Sequence, residues 1–96
     1  MAFNSTLALY IPSVPGEVAD DIGLRHYFQR FGKIRSVYIR PQKSSDNTFQ
    51  AHIYYDEWND DWYTRGIQAM IQDPNETVTI DNNIDDGFFK VLPSNR

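Results

Sequence analysis

The sequence predicts a single α+β domain: four antiparallel strands with two helices on one face, in the chain order β-α-β-β-α-β. Three observations predict it. Apolar residues alternate with period two near the start, in the middle and at the end of the chain. Two stretches between them carry apolar residues at helical spacing, and proline, glycine or acidic turn residues separate each segment from the next. The chain has 96 residues, 41% of them hydrophobic, which suffices for one packed core over about residues 7–92 with short tails.

The first strand is read at residues 7–11, where Leu7, Leu9 and Ile11 alternate with Ala8 and Tyr10. Pro12 to Gly16 is expected to end it, because proline cannot donate to a ladder and glycine permits a tight turn. Asp20 and Asp21 open the first helix, where a carboxylate both caps and suits the positive end of the helix dipole. Leu24, Phe28 and Phe31 follow at i, i+4 and i+7 with Tyr27 beside them, and Gly32 is placed as the residue just past the helix end. Gly23 is expected to weaken the first turn by about 1 kcal/mol relative to alanine. The second strand spans residues 34–39 and the third 49–55, joined by a polar loop that contains Lys43. A second helix starts at Asn59 or Asp60 and runs to about Gln72, with Tyr63, Gly66, Ile67 and Met70 as its core stripe. Residues 77–80 form a candidate short strand, 81–87 a turn and 88–92 the last strand. This order is the split βαβ, or ferredoxin-like, plan.

Composition closes off several functions. With no cysteine there is no disulfide framework, thiolate zinc site or thiol nucleophile, which fits a reducing intracellular setting in cytoplasm or nucleus. No apolar run reaches the roughly 20 residues of a membrane helix, and the Met1-Ala2-Phe3-Asn4 start is no signal peptide. No nucleophile–base arrangement, phosphate-cradling glycine loop or metal-ligand spacing occurs, so a non-enzyme without metal or cofactor is expected. The net charge of −4 is awkward for a partner held through phosphates. A composition rich in Asn, Asp, Tyr and Ile would suit an AT-rich genome, viral or protist.

Three local stretches resemble the RNA-recognition motif family. Leu9-Tyr10-Ile11-Pro12-Ser13-Val14-Pro15 is similar to its first-strand hexamer, commonly written L-Y-V-G-N-L and followed by proline. The run from Leu24 through Phe28, Phe31 and Gly32 to Ile34 resembles the family's first helix, L-x-x-x-F-x-x-F-G-x-I, and Ser36-Val37-Tyr38-Ile39 falls where its second strand begins. The third-strand octamer, [KR]-G-[FY]-[GA]-[FY]-V-x-[FY], matches only in its buried half, at Ala51, Ile53 and Tyr55. Gln50 and His52 occupy the two places where the family presents stacking aromatics, and Thr48 and Phe49 replace its basic residue and glycine. Gly66-Ile67 best matches the Ala-Ile pair of the family's second helix. The resemblance covers about residues 7–92 and implies a sheet that binds single-stranded RNA.

Strand parity defines the binding face by itself. If Leu9, Ile11, Val37, Ile39, Ala51, Ile53, Tyr55, Phe89 and Val91 face the helices, the opposite face presents Ala8, Tyr10, Tyr38, Arg40, Gln50, His52, Tyr54, Phe88, Lys90 and Leu92. That face contains no carboxylate. Rings on an open sheet stack with splayed bases, while Arg40, Lys43 and Lys90, helped by Arg35, meet phosphates. The expected RNA-binding set is Tyr10, Tyr38, Arg40, Gln50, His52, Tyr54, Phe88, Lys90 and Lys43. The competing expectation is a protein partner or homodimer held on the same sheet or on the acidic helix side.

The remaining motifs receive structural readings. Asp56, Glu57, Asp60 and Asp61 are read as charges at a helix start rather than a metal site. Residues 81–87 only echo a calcium loop, with the glycine one place late and Leu92 where a bidentate glutamate belongs. Trp58 and Trp62 are read as staples that fix the helix start to the body rather than a partner-binding knob, and His26 as a surface histidine.

Overall fold

The computed structural model describes residues 5–41, 48–81 and 87–94. The elements are strand β1 (Leu9–Pro15), a 3₁₀ turn (Gly16–Val18), helix α1 (Asp21–Phe28), a second 3₁₀ turn (Gln29–Phe31), strands β2 (Gly32–Pro41) and β3 (Thr48–Trp58), helix α2 (Trp62–Gln72), and strands β4 (Val78–Asp81) and β5 (Phe88–Pro93). The sheet has five strands rather than four, in the order β2-β3-β1-β5-β4, with each neighbouring pair antiparallel. The added strand is the short 77–80 candidate, which pairs with β5 at the sheet edge, Val78 opposite Val91 and Ile80 opposite Phe89.

The core forms where the apolar sides of strands and helices meet. Leu9, Ile11, Ala51, Ile53, Tyr55, Phe89 and Val91 are buried as parity requires, against Leu24, Phe28 and Phe31, while Val37 and Ile39 on the outer strand are half-buried. Burying aromatic and aliphatic side chains supplies most of the driving force, roughly 1.5–3 kcal/mol for each large one. Tyr55 brings its hydroxyl into this core and donates to the Phe28 carbonyl at 2.7 Å. Desolvation raises its pKa well above the ordinary tyrosine value, so the group stays a neutral donor.

Four expectations require correction. Pro12 does not end β1, which continues to Pro15 through a register shift between Ile11 and Val14. A bulge is where a strand tolerates a proline, and it returns Val14 to the core. Gly32 ends the helical segment as expected, but α1 itself stops at Phe28, and Gly32 caps the 3₁₀ turn that continues it while also opening β2. Gly23 is not merely a weak first-turn residue: an added Cβ would lie 2.8 Å from the Val18 carbonyl oxygen, so its lack of a side chain lets the preceding turn pack close. The fourth concerns α2, whose buried stripe is Thr64, Gln68 and Ile71 with Ile67 half-buried; Tyr63, Gly66 and Met70 are exposed. Two polar residues on the inner stripe disguise that face, and the larger apolar side chains draw attention to the outer one.

Candidate nucleic-acid interface

The helix-free side of the sheet arises from the same alternation that fills the core. On β3, Gln50, His52 and Tyr54 point away from buried Ala51, Ile53 and Tyr55, and on β1 Tyr10 does the same between Leu9 and Ile11. Pairing then aligns these residues into rows. Tyr38 stands opposite His52, His52 opposite Tyr10, and Tyr10 opposite Leu92, so one row crosses four strands. In the next row Arg40 stands opposite Gln50.

Six of the nine expected residues therefore converge. Tyr10, Tyr38, Arg40, Gln50, His52 and Tyr54 line one hollow of about 430 Å³. Phe88 and Lys90 are exposed on the same face, Phe88 at 63%, but belong to the far side near β4 and do not line the hollow. Arg35 is exposed within the register shift between Ile34 and Ser36. Lys43 lies outside the described residues, as does most of the 81–87 turn.

Two wall residues, Pro93 and Ser94, were not expected. The last strand extends beyond Leu92, and Pro93 pairs with Leu9 while the Ser94 N–H donates to the Ala8 carbonyl at 2.8 Å. Carrying the Phe88, Lys90, Leu92 alternation one step further would have found Ser94. Its hydroxyl is 3.2 Å from His52 Nδ1, a hydrogen bond between the two side chains. Ala8, expected on the open face, is buried, with 7% of its surface exposed, and does not contribute to it.

The rings of the hollow are ordered. Tyr10 and His52 stack with centroids 4.8 Å apart and an interplanar angle of 27°, and His52 and Tyr54 follow at 6.4 Å and 18°. Tyr38 is 58% exposed and has no second ring against it among the described residues. Arg40 supplies positive charge, and among the described residues no carboxylate lines the hollow. The wider face is not free of acid, contrary to expectation: β4 adds Asp81 opposite Phe88, at the rim away from Arg40. Chemically, the hollow combines stacking surfaces with hydrogen-bond donors, and carries charge for an anionic ligand.

The other motifs lie outside the hollow, and Asp56 and Glu57 belong to β3 rather than to a helix start. Asp61 caps α2, accepting from Thr64 N–H at 2.7 Å, and Asp60 pairs with Arg65 at 2.6 Å. Among the described residues, no group of three His, Asp or Glu side chains is placed to hold a metal ion. Trp58 is a staple, buried and donating from Nε1 to the Leu7 carbonyl at 2.9 Å. Trp62 is not: it is 86% exposed, because α2 begins with that position turned outward. His26 is exposed, edge-on to Tyr27. Among the described residues no helix is long and apolar enough to cross a membrane. Comparison with protein-family models, curated proteins and solved structures gives no match.

Proposed function

We propose that this chain is a non-catalytic module that binds single-stranded RNA with modest affinity across the open face of its sheet. One observation carries the reading: four rings, one guanidinium and one carboxamide converge on one hollow whose described lining includes no residue of α1 or α2. Flat rings offer sequence-tolerant stacking worth about 1–3 kcal/mol per base. Arg40, with Lys90 farther along the face, provides charge for phosphates, which position the strand. The strand order β2-β3-β1-β5, antiparallel at each step, supports a ferredoxin-like split βαβ plan and the resemblance to the RNA-recognition motif, with β4 as an edge addition. Cofactor and metal have no role in this activity, which is assigned to an intracellular setting.

Fluorescence anisotropy with a labelled mixed-sequence RNA of about ten nucleotides, at low salt, tests the reading. Micromolar binding that Tyr38→Ala weakens about tenfold, the equivalent of about 1.4 kcal/mol, supports it. Binding weaker than millimolar that neither Tyr38→Ala nor Tyr10→Ala changes would sink it.

A second reading has an observation of its own. Trp62 is 86% exposed beside Asp60 and Asp61, which suits a protein partner or a second copy docked on the acidic helix side. Light scattering distinguishes this case: a stable dimer that Trp62→Ala converts to monomer favours docking there.

A further inference from the structure

The rings on the open face are not equivalent. Tyr10, His52 and Tyr54 turn their faces towards one another at small interplanar angles. Tyr38, opposite His52 on the outer strand, keeps its ring face open. A base that enters the hollow therefore meets Tyr38 as its platform. Two residues along β2 on the same face, about 6.6 Å away by strand geometry, is Arg40, and directly opposite Arg40 is Gln50. Base platform and edge-reading groups thus occupy adjacent rows.

The chemistry of those two groups narrows the base. A guanidinium presents a two-donor fork that matches the paired O6 and N7 acceptors of guanine. A carboxamide presents one donor and one acceptor, which match N7 and N6 of adenine. Both patterns lie on the Hoogsteen edge of a purine. The amino group of cytosine is best received by a carboxylate, and none is found among the described residues that line the hollow. Uracil offers a single O4 acceptor on the corresponding edge and engages only half of a fork. Because charge-assisted bidentate bonds are stronger than neutral ones, Arg40 outranks Gln50.

We propose that Tyr38, Arg40 and Gln50 form a single-base subsite that selects a purine, guanine ahead of adenine; the proposal rests on the RNA reading above. The test uses four uridine pentaribonucleotides with guanine, adenine, cytosine or uracil at the centre, titrated by anisotropy. The guanine oligomer is expected to bind about tenfold tighter than the cytosine one, with adenine between them. Arg40→Lys keeps the charge but not the fork, and is expected to reduce the guanine-to-cytosine ratio below about threefold. Gln50→Leu is expected to abolish the smaller adenine preference. Four equal affinities, a pyrimidine preference, or an undiminished ratio in Arg40→Lys overturns the subsite and leaves the RNA reading standing. Failure of all four oligomers to bind overturns both.

Discussion

Gly32 leaves the 3₁₀ turn at φ 157° and starts β2 against the backbone of β3. A Cβ added there would press on the Glu57 carbonyl oxygen and lie 2.8 Å from Trp58 Cα. Neither neighbour is the end of a flexible side chain, so an alanine must displace a strand that also carries Tyr54 and His52. Gly32→Ala is therefore expected to destabilise by about 1–3 kcal/mol, lowering the melting temperature by at least about 4 °C. Thermal denaturation followed by circular dichroism checks this, and an unchanged midpoint would show that the strand start yields freely. Trp58, directly opposite Gly32, has a different role. Its ring lies 4.2 Å from that of Tyr55, and its bond to Leu7 fixes the chain just before Tyr10. The two tryptophans, four residues apart, differ because Trp58 ends a strand against the core and Trp62 begins a helix on its wet side.

At the scale of elements, both helices begin on an aspartate: Asp20 where the sequence places it, and Asp61 one or two residues beyond the expected Asn59 or Asp60. Asp20 accepts from Gly23 N–H at 2.6 Å and Asp61 from Thr64 N–H at 2.7 Å. The Thr64 bond holds the Asp61 carboxyl below the ordinary carboxylate range. A group depressed on folding contributes stability that is complete above its unfolded pKa, about 3.9 for aspartate, and lost as pH falls through the lower folded value. Asp61→Asn keeps a capping oxygen without the charge. It is expected to be less stable than the natural chain at neutral pH, with the difference starting to close near about pH 3.9 and vanishing only below the lower folded pKa. Urea midpoints measured from pH 7 to pH 2 check this; parallel curves would remove Asp61 from the acid response. The strands that build the hollow were legible because each has one buried face, which sets parity. The inner side of α2 was not, since Thr64 and Gln68 are polar, and only packing against β4 and β5 decides which side turns in. Pro12 misled for a related reason: local chemistry forbids a ladder bond at that residue, but a bulge removes the need for one.

At the scale of the whole molecule, the question is how a chain of net charge −4 approaches a polyanion. Asp20, Asp21, Asp60 and Asp61 sit at helix starts, where they cap or pair. Pairing of the edge strand brings Asp81 onto the far rim of the binding face, which reading four strands alone had left free of acid. The described cations of that face are Arg40 beside the hollow and Lys90 towards the β4 edge. Two phosphate contacts on a single strand predict a slope of about −1.4 in log affinity against log salt concentration, far shallower than for a basic module. Stacking on Tyr38 and its neighbours must then provide most of the affinity, and stacking is insensitive to salt. Anisotropy titrations from low to physiological salt measure the slope directly. A value near −1.4, retained in Tyr38→Ala and flattened by Arg40→Gln, assigns the charge to this face. A slope steeper than about −3 would require a basic surface other than the hollow, and would move the binding site with it.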